Sequence, residues 1–96
     1  MGRRNFLVSY DISDDKRRTK IFHLLQANGD HAQFSVFLCQ LNGSELARLR
    51  AGLQPLVHAK EDQVLIIDLG KAYTDEPLQL EALGQPYVPV VRAMIV

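Results

Sequence analysis

The sequence predicts an α+β domain: an antiparallel sheet with two helices on one of its faces. Three observations predict it. Apolar, β-prone runs stand at residues 6–12 and 63–69. Two stretches between them space their leucines and isoleucines at helical intervals. A third β-prone stretch, residues 31–41, separates the two helical patterns and is long enough to fold back on itself.

The first run is Phe6-Leu7-Val8-Ser9-Tyr10-Asp11-Ile12, in which five of seven residues are apolar or aromatic. It reads as an inner strand with Asp11 where the strand emerges. The first helix starts near Ser13, a capping residue, with Asp14 and Asp15 in the turn where the helix dipole favours acids. Ile21, Leu24 and Leu25 form its buried stripe, and Asn28-Gly29 stops it. Stepping the stripe back from Ile21 reaches Arg17 and Arg18, which should project beside the mouth of the first strand. Residues 31–41 divide into two short strands with the bend at Ser35-Val36. Asn42-Gly43 breaks the chain, and Ser44 is the expected cap of the second helix. Leu46, Leu49, Leu53 and Leu56 give that helix its apolar stripe, which ends around Pro55. Residues 63–69 are the most hydrophobic run and read as a central strand that Gly70 ends. The order strand, helix, strand, strand, helix, strand is the ferredoxin-like βαββαβ pattern.

Such a sheet leaves one face uncovered, and its strands are too apolar for that face to meet water, which calls for a partner. Residues 71–77 read as a polar loop and residues 78–83 as a short strand broken at Gly84-Gln85-Pro86. Residues 87–96 are strongly β-prone. A last strand added to the sheet edge of a second copy would cover both surfaces in a twofold homodimer. The expected organisation is one domain over residues 1–96, with a core at about 5–70 and a dimerising region at about 78–96.

Composition narrows the classes. The 96 residues suffice for one two-layer core, and 47% hydrophobic content is that of a globular chain rather than a disordered one. No run approaches the roughly 20 apolar residues of a membrane span. The basic start Met1-Gly2-Arg3-Arg4 leads into a strand and not a signal peptide, and Cys39 is the only cysteine, so a cytoplasmic location is expected. Lys plus Arg and Asp plus Glu balance at 11 each, so net charge gives no argument for nucleic acid. The distribution does. Six cations fall in the first 20 residues: Arg3, Arg4, Lys16, Arg17, Arg18 and Lys20. The plain alternative is a solvated helix start with Asp14–Arg18 pairing.

Asp11 is the leading candidate for chemistry. A hard cation such as Mg²⁺ takes one or two protein carboxylates and fills its shell with water and phosphate oxygens. One Asp per chain is sparse, but a twofold dimer would bring two copies of Asp11 to one ion, able to activate water and clamp a phosphodiester. The alternative is an ordinary strand-end residue. Asp14 and Asp15 read as first-turn acids. Arg17, Arg18 and Lys20 suit phosphates. His23, His31 and His58 have no metal-ligand spacing; His23 reads as helix surface, and His31 lies where it could touch a nucleic-acid backbone. Cys39 reads as a small buried hydrophobe, Ser35 has no triad context, and Tyr10, Phe34 and Phe37 read as core or interface residues rather than base-stacking platforms.

Two blocks in this order, Tyr10-Asp11-Ile12-Ser13-Asp14-Asp15-Lys16-Arg17-Arg18 and, after Gly29, Gln33-Phe34-Ser35-Val36-Phe37, resemble the CRISPR-associated protein two (Cas2) family. This is the small adaptation subunit of prokaryotic CRISPR antiviral immunity. The resemblance covers about residues 6–70, with a family-like β-prone tail beyond. It implies a ferredoxin-like homodimer whose C-terminal strand packs on the partner. It implies that Asp11 is the family's strand-end aspartate, sharing a Mg²⁺ with its twin. It implies a metal-dependent endonuclease, a hydrolase of phosphodiester bonds in single-stranded RNA or double-stranded DNA. It further implies an adaptor that bridges the integrase subunit (Cas1) and holds duplex DNA during spacer acquisition. By matched position Tyr10, Arg18, Ser35 and Phe37 inherit supporting roles; the residue two before the Gln, often basic in the family, is His31. Two alternatives stay open on sequence alone: a toxin-like ribonuclease of related fold, and a non-catalytic ferredoxin-like regulatory domain.

Overall fold

Alternation along the first strand lays out the molecule. In β1 (Arg4–Asp11) the side chains of Phe6, Val8 and Tyr10 are buried while those between them are not, so one face of the strand belongs to the core. The computed structural model describes residues 2–73 and 80–87.

Helix α1 spans Asp15–Gln26 and buries Ile21 and Leu25. Its N-cap is Asp14 and not Ser13: the Asp14 carboxylate accepts the Arg17 N–H at 2.9 Å. A charged acceptor at the positive end of the helix dipole outcompetes a hydroxyl. Ser13 turns instead to Asp62, donating its N–H at 3.0 Å and its hydroxyl at 3.2 Å. The helix stops where the sequence expects, with the Asn28 side-chain amide on the Leu24 carbonyl. Gly29 is required there. A Cβ at that position would stand 2.4 Å from Cys39 Sγ and 2.6 Å from the Leu38 carbonyl oxygen.

Strands β2 (Asp30–Gln33) and β3 (Val36–Leu41) are the expected hairpin. The bend falls one residue earlier than expected, at Phe34-Ser35, because Val36 is already in the ladder, opposite Ser9 and Gln33. Helix α2 (Gly43–Leu53) is capped by Asn42 rather than Ser44. Asn42 and Glu45 form a reciprocal capping box that satisfies two backbone N–H groups at once, which a cap at Ser44 would not. A 3-10 turn at Gln54–Leu56, with Pro55 inside it, ends the helix.

Strand β4 runs Gln63–Lys71. Gly70 does not end it. The ladder with β1 shifts register between Asn5 and Phe6, and Gly70 takes φ 103° there, so the strand bends and continues to Lys71. Sheet order is β2-β3-β1-β4 with all neighbours antiparallel, the ferredoxin-like arrangement. Among the described residues β4 is thus an edge strand and not a central one. Its apolar run has a different cause. Val64 and Ile66 pack on the core, while Leu65 and Ile67 alternate to the opposite face.

Phe6, Val8, Tyr10, Ile12, Phe37, Cys39 and Leu41 from the sheet side meet Ile21, Leu25, Leu49 and Leu53 from the helices in one core. The far face stays apolar and open. Leu7 stands opposite Leu38 on one side and Ile67 on the other. Leu65 and Ile67 are 47% and 46% exposed. Part of this face is roofed by residues 80–87, leaving a cavity of about 600 Å³ between Leu7, Val36 and Leu38 below and Leu80, Pro86 and Tyr87 above. Residues 80–83, expected to end a strand, enter no ladder and instead lie over the open face of the sheet. Residues 78–79 and 88–96, where the rest of that strand and the partner-pairing strand are expected, lie outside the described residues.

Candidate metal and nucleic-acid site

Asp11 closes β1 as an exposed residue. Because Tyr10 points into the core, alternation sets Asp11 on the other face, in line with Leu7 and Ser9. The one carboxylate at the strand end therefore shares a face with exposed Leu65 and Ile67.

Behind it lies an aromatic cluster that holds three of the residues named from sequence. Phe37 is fully buried. It stacks on Tyr10 with ring centroids 6.3 Å apart, on His31 at 4.8 Å, and takes Phe22 edge-on at 5.5 Å. Burial raises the Tyr10 phenol above its usual range, with the nearby Arg18 charge pulling the other way. That hydroxyl stays protonated and donates to the Phe34 carbonyl at 3.5 Å. His31 Nε2 donates to the same carbonyl at 2.7 Å. Ser35 takes part through its backbone, its carbonyl accepting the Tyr10 N–H at 3.0 Å. Tyr10, His31, Ser35 and Phe37 thus meet around the hairpin turn, next to the strand end that carries Asp11.

The cations separate. Arg18 donates to the Ile12 carbonyl at 2.9 Å and pairs with Asp15, so it stays beside the strand end as its spacing predicts. Arg17 does not. Its Nε lies 2.9 Å from Asp62 and its Nη2 3.5 Å from Glu61. The Asp62 side chain has no exposed surface and also accepts the N–H groups of Ser13 and His58. The Arg17 hydrogen bonds hold this carboxyl well below the usual carboxylate range, helped by the His58 and Ser13 N–H groups and opposed by desolvation. Among the described residues ion pairs take Arg3, Arg4, Arg17 and Arg18 but neither Lys16 nor Lys20. Sequence reasoning did not find Asp62. An acid just before an apolar strand carries no signal until the fold brings it to the helix start.

His23 is exposed and Cys39 buried, as read from sequence. Of the two places expected for Phe34, the core is excluded: it is 93% exposed in the single chain. Among the described residues no three His, Cys, Asp or Glu side chains gather into one cluster, and no helix is long and apolar enough to cross a membrane.

The model of the family described as CRISPR associated protein Cas2 matches residues 4–76. The chain belongs to the Cas2 family. It is 32% identical over 91 residues, 95% of each chain, to a protein named CRISPR-associated endoribonuclease Cas2 in Geobacter sulfurreducens. It is 37% identical over 92 residues to one so named in Rhodospirillum rubrum, covering 95% of this chain and 89% of that one. A protein of Thermus thermophilus, 36% identical over 92 residues, 96% of this chain and 94% of its own, is named a CRISPR-associated endonuclease Cas2. A solved Cas2 structure superposes with a TM-score of 0.72 at 26% identity, covering 99% of this chain and 100% of the other. A hypothetical protein from Thermus thermophilus superposes at 0.77 with 35% identity, covering 92% of this chain and 99% of the other. Family membership fixes the CRISPR context and agrees with the fold built above.

Proposed function

We propose that the protein is a Cas2 nuclease of the CRISPR system that works as a twofold homodimer, hydrolysing phosphodiester bonds with two copies of Asp11 at one Mg²⁺. The observation that carries this reading is the position of Asp11, an exposed carboxylate at one end of an apolar sheet face that a single chain leaves open. Stacking two such faces about a twofold axis buries Leu65 and Ile67, and it brings the two carboxylates toward a common site. The nuclease names of the relatives support the chemistry.

The donor set suits a hard, oxygen-seeking cation, since one carboxylate from each chain falls within the one or two that Mg²⁺ takes from protein. When bound, the ion would supply an activated water and charge stabilisation at phosphate. The chain's own residues do the rest. Arg18, fixed by the Ile12 carbonyl, sets positive charge beside the strand end. Lys16 and Lys20, which enter no ion pair among the described residues, extend it along the start of α1 toward phosphates. The buried aromatic cluster holds the end of β1 and the hairpin turn in fixed relation. Single-stranded RNA and duplex DNA are the substrates to try. The same dimer, with its C-terminal strand on the partner, would hold duplex DNA and bridge the integrase subunit Cas1 during spacer acquisition.

Cleavage of labelled single-stranded RNA and duplex DNA, with Mg²⁺ and with chelator, tests the reading against Asp11→Ala. Metal-dependent cutting that the substitution abolishes while the dimer persists is the expected result. Cutting that survives it would remove Asp11 from the chemistry and leave a DNA-holding adaptor.

A further inference from the structure

A phenylalanine stands at the hairpin tip with 93% of its surface exposed in the single chain. Two-residue turns favour Gly, Asn and Asp, and an exposed ring contributes nothing to folding. Its neighbours nonetheless fix its position. The Phe34 carbonyl accepts from His31 Nε2 at 2.7 Å and from the Tyr10 hydroxyl at 3.5 Å. The next carbonyl, of Ser35, accepts the Tyr10 N–H. Both tethering rings are stacked on buried Phe37. The turn is thus anchored to the core through three contacts, and its tip carries an aromatic side chain that touches little else.

The register says what this tip faces. β1 and β3 pair Val8 with Phe37 and Ser9 with Val36, and the Tyr10 N–H bond to Ser35 continues the sequence. Asp11 is the next residue of β1, so the turn at Phe34-Ser35 stands beside the strand end that carries it. The start of α1 follows Asp11 in the chain, with Arg18 on the Ile12 carbonyl and with Lys16 and Lys20, which enter no ion pair among the described residues. Cations, a carboxylate and an exposed aromatic therefore follow one another along one end of the sheet. That order fits a nucleotide, whose phosphate and base sit on opposite sides of its sugar.

We propose that Phe34 is a stacking platform for an unpaired nucleobase, holding single-stranded nucleic acid so that its phosphate lies toward Asp11. The inference rests on the nuclease reading above and adds a strand-state preference to it. Bases inside a duplex are stacked on one another and offer no face to Phe34; an unpaired base does. Stacking tolerates any base, so the platform selects single strands without selecting sequence. The exposed aliphatic residues Leu65 and Ile67 lie on the flat sheet face, whereas Phe34 presents an aromatic ring at the sheet end.

The test is fluorescence anisotropy with a labelled single-stranded RNA, in chelator so that no cutting occurs, for wild type, Phe34→Ala, Phe34→Leu and Phe34→Trp. Circular dichroism checks that each variant folds, as an exposed position allows. Phe34→Ala should bind roughly 5- to 150-fold more weakly, the range that loss of one stacked base gives. Phe34→Leu should be weakened as well, Phe34→Trp should bind at least as tightly as wild type, and affinity for duplex DNA of the same length should not change. Wild-type affinity in Phe34→Ala, or equal losses for RNA and duplex, would overturn the inference. So would a shift of Phe34→Ala from dimer to monomer in sedimentation, which would give the ring to a protein interface instead. If Asp11→Ala abolishes cutting while Phe34→Ala binds normally, this inference alone falls. If wild type binds no nucleic acid, the nuclease reading falls and takes this inference with it.

Discussion

Replacing Phe37 separates a residue that builds the site from one that works in it. By resemblance Phe37 belongs with the functional residues, yet it has no exposed surface and its ring meets Tyr10, His31 and Phe22. Truncating a fully buried Phe to Ala costs about 3–5 kcal/mol, a large part of the stability of a domain this size. Phe37→Leu is the informative change. It keeps most of the apolar volume and loses the ring contacts, which are worth roughly 0.5–1.5 kcal/mol each, so the expected cost is on the order of 2 kcal/mol. For a chain of this length that lowers the melting temperature by roughly 10 °C. Urea and thermal unfolding followed by circular dichroism at one fixed protein concentration measure it, because the proposed dimer would make the midpoint concentration-dependent. Cleavage by the same variant, assayed well below its midpoint, should remain within a few-fold of wild type. An unchanged midpoint would refute the packing argument. A stable Phe37→Leu protein that no longer cuts would show that the ring acts on substrate.

Three further outcomes follow from the same geometry. Ile67→Lys sets a charge in the centre of the open apolar face and should convert the dimer to monomer in sedimentation without unfolding the chain; a persisting dimer would place the interface elsewhere. Asp62 has a carboxyl held below its unfolded value of about 3.9, so the stability it contributes is full above that pH and is lost as the pH falls further. Asp62→Asn should accordingly lower stability at neutral pH and flatten its fall from pH 5 to 2, with acid unfolding curves of both proteins as the check. Lys16→Ala with Lys20→Ala should weaken nucleic-acid binding and reduce its salt slope, whereas Arg17→Ala should act mainly on stability, because Arg17 is committed to Asp62; a normal salt slope in the double lysine variant would remove α1 from the binding surface.

What could be read without coordinates follows the range of the interactions concerned. Both helices, the hairpin and β4 were legible because their signals are local: apolar spacing over a few turns, or a β-prone run between breakers. The helix caps were off by one or two residues because each stretch holds several capping types. Only the charge of Asp14 and the reciprocal Asn42–Glu45 box decide between them. β4 looked central because both of its faces carry apolar residues, a pattern that this edge strand shares with its far-face Leu65 and Ile67 exposed. The position of Asp11 was legible from strand alternation. The commitment of Arg17 to Asp62 was not, being a contact between residues 45 positions apart. That Phe34 stands outside the core was not legible either, for the opposite reason: an aromatic in a β-prone run is ordinarily inside, and nothing local marks one that stands at the turn.

The central claim is that two chains complete one site through Asp11. Titration of Mn²⁺, as a spectroscopic stand-in for Mg²⁺, followed by electron paramagnetic resonance at protein concentrations where the dimer is intact, tests it most directly. The account predicts one bound ion per two chains and loss of that binding in Asp11→Ala. One ion per chain, or binding that survives the substitution, would contradict it.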